Sequence, residues 1–488
     1  MEWTGPEYRR TLNLRYLRGK KCEKCGRVYL SSRNFCSDCG REGKLSSVNL
    51  PKKGQVHSSS LVRKSTSDFN LDSKIPYSVG LVDLDGIDFK APGIIDSGER
   101  ITGEEVEANI GLLGISNEVR FYTYIWRKKH NYHSPEPSTG SSDVEEGVGI
   151  VDYGVYVPRK RIKSGKIAEV WGEEMEGLVK SFPGKWDGPG AYAMNSALNS
   201  LENNNVDPSQ VGKIMVGSES HPYAVNPTAS IVAELIGADK QCVDFEFACK
   251  AGTQAIIEAY DSVKAGTIDY GMAIGADSAQ ARPGDALEYM AADGGASILI
   301  GSEDPIAVIN AHESFSTDTP DFLRGEAEEF PVHFGRFTGE PAYFKHIEEA
   351  ANRLLERQET EPEDYDYALF HQPNRKFPRK VGKRLGFTEE QIEPTIVVDW
   401  IGNTYSACVP LGLCRVLDQA APGDRIFVTS YGSGAGSDAF DITVTEKIKE
   451  KQKQKDRSVA SWLGKEDDEL LEFESYGRYA KNKGLLKN

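Results

Sequence analysis

From about Val148 to Val444, short apolar runs of β type alternate with stretches of helical periodicity, and nothing else restricts this 488-residue chain so tightly. Alternation of that kind calls for an α/β domain with a layered sheet. A faint repeat runs through it. The helix-turn-strand segment Ala255 to Asp277, ending in Gly275-Ala-Asp, is echoed by Pro410 to Gly436, whose strand runs into Gly432-Ser-Gly-Ala-Gly. A duplicated unit would set the helix starts near Cys249 and Thr404 side by side at a pseudo-twofold axis, with the reactive groups between them. The expected halves are 148–305 and 306–446.

The N-terminal part is built differently. Cys22-Glu-Lys-Cys25 and Cys36-Ser-Asp-Cys39 are two thiolate knuckles, each followed by a glycine, Gly26 or Gly40. That spacing predicts a zinc ribbon, whereas a redox dithiol would need only one pair and a thioredoxin-like helix after it. Four thiolates leave no open coordination position, so the zinc would be structural. Residues 1–45 are therefore expected to form an N-terminal helix and the ribbon. Short β-segments (Gly54 to Val62, Tyr77 to Leu84, Val119 to Trp126) separated by Gly, Asp and Pro suggest a five-stranded barrel of OB type over 46–130. Residues 131–147, rich in turn formers and acids, read as a linker, and the lysine-rich 447–488 as a charged tail without chemistry.

Composition excludes several classes. The net charge is −16, with +6 on residues 1–45 and −22 on the remainder, so the acidic majority repels nucleic acid. There is no apolar run of bilayer length and no secretory h-region at the start, which points to a cytoplasmic protein without membrane contact. Four of the eight cysteines are scattered, as in a reducing compartment, and no disulfide framework is implied.

Within the α/β region, Val243-Asp-Phe-Glu-Phe-Ala-Cys249-Lys-Ala-Gly places a cysteine where a strand gives way to a helix. Helix N–H groups and Lys250 would favour its thiolate, although a buried structural cysteine is an equal reading of this stretch alone. Three further strand ends carry polar groups: Glu219 after Lys213-Ile-Met-Val-Gly-Ser, His371 after Ala368-Leu-Phe, and Asn403 in Asp399-Trp-Ile-Gly-Asn-Thr. Singly they read as a solvated acid, a hydrogen-bonding histidine and a helix cap; together they form a Cys/Glu/His/Asn set.

The segments F-A-C-K-A-G-T, F-H-Q-P-N-R-K-F-P, G-N-T-Y-S and Y-G-S-G-A-G-S-D-A-F resemble archaeal-type hydroxymethylglutaryl-CoA synthase of the thiolase superfamily. The ribbon and barrel resemble the small zinc-ribbon/OB proteins that accompany archaeal thiolases. The resemblance implies a layered α-β-α-β-α fold, acetyl-CoA and acetoacetyl-CoA as substrates, and a role in isoprenoid synthesis through mevalonate. Organic redox cofactors play no part in it. It implies that Cys249 carries the acetyl group, Glu219 serves as general acid/base, and His371 and Asn403 hold the acceptor. Backbone N–H groups around Gly432, Ser433 and Gly434 would form the oxyanion site, while Lys345, Lys376, Arg375 and Lys380 would meet CoA phosphates. It also implies a homodimer and, for the N-terminal module, docking of acetoacetyl-CoA thiolase. Two departures stand out. Cys408 replaces a serine near the acceptor, and Gly188-Pro189-Gly190 makes an unusual helix entrance. They keep open a ketoacyl-synthase-type acyltransferase with another acceptor, and a non-catalytic scaffold is the further alternative.

Overall fold

The computed structural model describes residues 17–30, 35–40, 42–63, 76–99, 101–116, 119–128, 147–175, 177–202, 204, 206–325, 328–335, 337–434, 436–453, 459–463 and 471–486. The expected N-terminal helix and nearly all of the expected linker lie outside these residues. The chain divides into two compact units, Met1–Asn131 with Lys185–Asp187 and Glu234–Gly237, and the remainder.

In the first unit, β1 (Leu17–Cys22), β2 (Val28–Leu30) and β3 (Leu45–Leu50) form a three-stranded antiparallel sheet carrying the cysteine knuckles. Strands β4 (Lys53–Val62), β5 (Tyr77–Leu84), β6 (Lys90–Ile95), β7 (Glu105–Ser116) and β8 (Val119–Lys128) close into a five-stranded barrel. Its interior is filled by Val56, Val82, Ile95, Val106 and Trp126, supplied by alternating positions of the strands as the pleat requires.

The second unit is organised on one nine-stranded sheet. Its first half contributes β9 (Gly149–Tyr156), β10 (Val211–Gly217), β11 (Gln241–Phe245), β12 (Tyr270–Ser278) and β13 (Asp293–Gly301). The second half contributes β14 (Ala307–Ser316), β15 (Tyr367–Phe370), β16 (Arg425–Thr429) and β17 (Gly436–Val444). The spatial order is β11-β10-β12-β13-β9-β14-β17-β16-β15. Outward from the central β9–β14 pair, each half runs through two antiparallel pairings and then a parallel one, and the first half adds a second parallel pairing, β10 with β11, at its end. This is the duplication that the sequence repeat foreshadows.

Helices α1 (Pro189–Leu201), α2 (Ala251–Lys264), α3 (Phe344–Gln358) and α4 (Cys408–Leu417) cover the sheet. Both α2 and α4 contribute to a single large core that also takes residues from both halves. A helix apolar on nearly every side, as Val409 to Leu417 is, can only be buried, at ~1.5–3 kcal/mol for each large aliphatic side chain removed from water. Pro410 is tolerated because it falls in the first turn of α4, where its N–H would have no helical acceptor. Pro189 likewise opens α1, so the Gly-Pro-Gly entrance is a regular helix start.

The expected solvated tail is corrected by the structure. Val459, Tyr479 and Ala480 are fully buried, and α5 (Tyr476–Asn482) lies on the second unit with Tyr479 edge-on to Phe182 at 5.5 Å. Apolar side chains spaced among lysines, too sparse to read as a core stripe, find their partners in distant parts of the chain.

Candidate active site

In the parallel neighbours β10 and β11, Gly217 pairs with Phe245, so the residues that follow each strand emerge at one sheet edge. There a turn of 3-10 helix, Ala248–Lys250, leads into α2. Ala248 has φ +48°, a conformation uncommon outside glycine, and it makes the strand-to-helix turn tight enough to present Cys249 to the edge. Cys249 donates from Sγ to Glu219 Oε1 at 3.1 Å. Burial, and secondarily the charge of Asp277, push the Glu219 carboxyl up to about 8. Burial followed by the Glu219 charge pushes the Cys249 thiol well above its ordinary range. The thiol therefore holds its proton in the free enzyme, and removal of that proton has to accompany attack on a carbonyl, while Glu219 is poised to exchange between acid and carboxylate near neutral pH.

This corrects the expectation that Lys250 activates the thiol. Its ammonium lies 2.9 Å from Asp438 Oδ1 and 3.8 Å above the Phe247 ring, with both charges buried. Asp438 also accepts from Thr253 Oγ1 at 2.7 Å and from Ser314 Oγ at 2.8 Å. Lys250 thus ties the start of α2 to β17 in the other half.

Asp277, at the end of β12, organises the other side. Its Oδ1 accepts from Glu219 N at 2.8 Å, Ser218 Oγ at 2.8 Å and Ser220 Oγ at 2.7 Å, and its Oδ2 from Ser406 N at 2.9 Å and Ser406 Oγ at 2.6 Å. Ser406 is the counterpart of Cys249 in the second half: Tyr405 before it has φ +53°, and a 3-10 turn, Tyr405–Ala407, opens α4 as Ala248–Lys250 opens α2. Gly252 and Gly275 are required here, because a Cβ on either would strike the Ser406 carbonyl.

From the second half, β15 leads directly into His371, which is joined to the nucleophile's surroundings through Tyr431, a residue on which Cys249 acts electrostatically. The N–H of His371 donates to Thr429 O at 2.9 Å, and its ring lies 6.4 Å from that of Tyr431. Burial lowers its pKa to about 3, so the imidazole is neutral, and its buried Nδ1 has no hydrogen-bond partner among the described residues. Asn403 accepts from Tyr405 N through Oδ1 at 3.0 Å, which fixes the amide plane. The turn after Tyr431 packs on the nucleophile's turn: a Cβ on Gly432 would stand 2.7 Å from Phe247 O and from Lys250 Cγ.

Of the expected oxyanion donors, Gly432 N–H already donates to Gly436 O at 2.7 Å and Gly434 N–H to Asp321 Oδ1. Only Ser433 N–H, among these three, has no acceptor among the described residues. Cys408 is fully buried, accepts from Gln372 N at 3.4 Å, and braces the turn after His371. Burial pushes its thiol up to about 12.

The expected CoA cations lie on exposed positions. Arg375 pairs with Asp399 at 3.2 Å and lines a separate cavity of about 230 Å³ with Lys163 and Trp400. Lys380 lies 3.9 Å from Glu340 and Lys345 6.0 Å from the Phe315 ring centre, and both are exposed, as is Lys376. The cavity that reaches Glu219, Ala248, Asp277 and Tyr405 has a volume of about 210 Å³, and its cation is Arg324. Sequence reasoning missed Asp277, Asp438 and Arg324. The first two end or begin strands of the repeat, a signal that marks them; Arg324 follows a two-residue strand and carries none.

In the first unit the sulfurs of Cys22, Cys25, Cys36 and Cys39 lie within 4.8 Å of one another, a spacing a tetrahedral zinc can span with Zn–S bonds of about 2.3 Å. Gly43 fills the remaining space, since a Cβ there would be 2.6 Å from Cys36 Cβ and 2.9 Å from Cys22 Sγ. Gly26 and Gly40 take the positive φ, +76° and +60°, that closes each knuckle. The donor set fits zinc.

Comparison with known proteins gives the same division. Residues 12–45 match the family model "ChsH2, rubredoxin-like zinc ribbon domain", and 355–442 match "3-Oxoacyl-[acyl-carrier-protein (ACP)] synthase III C terminal". The hydroxymethylglutaryl-CoA synthase of Methanopyrus kandleri is 53% identical over 354 residues, covering 70% of this chain and 99% of that protein. That of Methanocaldococcus jannaschii is 51% identical, covering 68% and 98%. Among solved structures, MvaS in complex with 3-hydroxy-3-methylglutaryl coenzyme A aligns with a TM-score of 0.62 at 21% identity, over 70% of this chain and 92% of that one. The 3-oxoacyl-[acyl-carrier-protein] synthase III of Aquifex aeolicus aligns at 0.56 with 19% identity, over 61% and 100%. The second unit therefore has a thiolase-like fold.

Proposed function

We propose a reaction from the premise that this chain belongs to the hydroxymethylglutaryl-CoA synthase family: it condenses acetyl-CoA with acetoacetyl-CoA through an acetyl-Cys249 intermediate, in the mevalonate route to isoprenoids. The observation that carries the assignment of roles is the 3.1 Å contact between Cys249 Sγ and Glu219 Oε1.

In this reading the sulfur attacks the acetyl carbonyl, its proton passes to the departing CoA thiol, and the oxyanion is met by backbone N–H groups, Ser433's among them. Glu219, as carboxylate, takes a proton from the acetyl methyl, leaving an enolate. A carboxyl that titrates near 8 is a stronger base for this step than an ordinary one. The enolate carbon attacks the keto group of acetoacetyl-CoA, which the neutral His371 and the amide of Asn403 polarise by donating hydrogen bonds. Glu219 returns the proton to the new alkoxide. Water then cleaves the thioester, releasing product and restoring the thiol. Lys345, Lys376, Arg375 and Lys380 remain the proposed CoA contacts, and Arg375 with Lys163 and Trp400 offers cations beside an aromatic face.

The N-terminal zinc module is read as the docking element for an acetoacetyl-CoA thiolase, the condensing unit as a homodimer, and the compartment as the cytoplasm, a reducing setting in which a four-thiolate zinc site and a reactive Cys249 are at home. No helix among the described residues is long and apolar enough to cross a membrane.

Mass spectrometry of Cys249 after acetyl-CoA, for wild type and Glu219→Ala, tests the roles. Both proteins acetylate, and only wild type then yields hydroxymethylglutaryl-CoA on adding acetoacetyl-CoA. Condensation by the variant at the wild-type rate removes Glu219 from the mechanism; acetylation of wild type without condensation would favour a ketoacyl-synthase-type reaction. Thiolase capture that survives deletion of residues 1–130 refutes the docking role.

A further inference from the structure

The segment after Leu471 places a cation behind the wall of the active site. Its helix α5 is anchored by Tyr476 OH donating to Glu288 Oε1 at 3.0 Å, by Asn482 Nδ2 donating to Pro183 O at 2.9 Å and by the buried Tyr479 ring. Lys483, the next residue, has a side chain only 9% exposed. Its Nζ lies 3.0 Å from Asp293 Oδ1, 2.6 Å from Ala279 O and 3.4 Å from Ser278 Oγ. Ala279 lines the cavity that reaches Glu219.

The contacts continue inward without a gap. Asp293 is fully buried and its Oδ2 accepts from Ser278 Oγ at 2.5 Å and from Tyr192 OH at 3.0 Å. Ser278 N–H donates to Ser220 Oγ at 3.0 Å, Ser220 Oγ donates to Asp277 Oδ1 at 2.7 Å, and the same oxygen accepts Glu219 N–H at 2.8 Å. The Ser278 and Tyr192 hydroxyls can both donate to Asp293 only while its Oδ2 is an acceptor, and from Ser278 the link to Ser220 runs on through the backbone N–H. A buried carboxylate stays ionised when a cation is paired with it, and protonated it would turn donor and compete with Ser278 and Tyr192.

We propose that Lys483 is a positioning residue for the general acid/base: by keeping Asp293 an acceptor it orders Ser278, Ser220 and Asp277, and through them fixes the turn that aims Glu219 at the acetyl methyl. This rests on the role of Glu219 proposed above. The C-terminal segment is then part of the condensing machinery. It acts on the proton-transfer step and not on acyl transfer to Cys249, whose turn is held by Lys250 and Asp438.

The test uses the full-length protein and separates the two steps. Acetylation of Cys249 is followed by mass spectrometry, and the methyl step by uptake of deuterium into the acetyl group in D2O without acceptor. In Lys483→Met and in Ser278→Ala, acetylation stays within about twofold of wild type while deuterium uptake falls about tenfold or more, the scale expected when a catalytic group is displaced by a fraction of an ångström. Butylamine added to Lys483→Ala restores part of the uptake, and Lys483→Arg retains part. Uptake at the wild-type rate in a folded Lys483→Met or in Ser278→Ala overturns the proposal. So does a parallel loss of both steps that follows the folded fraction and that butylamine leaves unchanged, which would make Lys483 structural only. Glu219→Gln is measured alongside: if it takes up deuterium as wild type does, the reading of Glu219 fails by itself, whatever the lysine variants do.

Discussion

Glu219 Oε1 stands 3.1 Å from Cys249 Sγ, in surroundings that strip water from both. A carboxylate charge beside a thiol favours the protonated sulfur, so removing that charge without removing the side chain should free it. In Glu219→Gln the pH at which iodoacetamide alkylates Cys249 is expected to move down from the wild-type value. An unchanged or raised midpoint would mean that the charge of Glu219 is not felt at the sulfur.

The same pair makes a stability prediction with a definite sign. Glu219 titrates at about 8 in the folded protein against 4.5 ordinarily, so between those values the folded state holds a proton that the unfolded chain has released. Stability owed to this group therefore falls as pH rises through that window and is fully lost above it. Relative to wild type, Glu219→Gln should melt higher at about pH 9, and the gap should close below the ordinary carboxyl pKa. Melting curves of the two proteins across pH decide it, and a gap that widens toward acid would contradict the burial of Glu219.

His371 gives the opposite slope. Its pKa is lowered by burial from 6.5 to about 3, so as pH falls below 6.5 the unfolded chain takes up a proton that the folded one refuses. Wild type should lose roughly 3 kcal/mol from this residue between about pH 6.5 and 4, a loss that His371→Asn does not share. The variant should still acetylate Cys249 and lose condensation. Matching denaturation profiles for the two proteins would place a charged histidine in the site.

The duplicated α/β unit, the zinc knuckles and the polar residues after three of the strands were legible because each is written in neighbouring residues, whereas Asn403, also expected at a strand end, follows the short helix Val398–Ile401. Strand and helix periods, a C-x-x-C spacing and a glutamate after an apolar run need no knowledge of the rest of the chain. What could not be read depends on partners far away. Lys250 looks like an activating cation until Asp438 is seen 2.9 Å from it. Gly432 and Gly434 look like free amides until Gly436 and Asp321 take their hydrogens. The C-terminal segment looks like a solvated tail because Val459 and Tyr479 stand among lysines, and their burial is decided by surfaces hundreds of residues earlier in the chain.

The zinc site should separate structure from chemistry. Four thiolates saturate the metal, and removing it with a chelator, or changing Cys25 to Ser, takes away the folding energy of the ribbon. Chelation should raise the count of alkylatable thiols by four, from the cysteines of the cluster, and leave acetylation of Cys249 within about twofold, because the metal has no open position through which to act. Acetylation that disappears with the metal would give the ribbon a part in the reaction.

Gly432 tests how closely the two halves are registered at the nucleophile. An alanine there would bring Cβ within 2.7 Å of Phe247 O and Lys250 Cγ, and neither can retreat easily: the carbonyl belongs to the strained turn at Ala248, and Lys250 is held by Asp438. Either the Tyr431 turn or the Cys249 turn has to shift. Overpacking of this sort costs about 1–3 kcal/mol of stability. The larger effect should be on chemistry, with acetylation slowed about 10–100-fold because the sulfur moves relative to its acyl donor. Gly386→Ala is the control: with φ +97° it closes the helix Phe377–Leu385 and would be strained by any side chain, yet the nearest atoms to its Cβ belong to Pro362. It should lower the melting temperature and leave acetylation alone. Equal acetylation rates in the two variants at matched folded fraction would mean that the Gly432 turn does not set the position of Cys249.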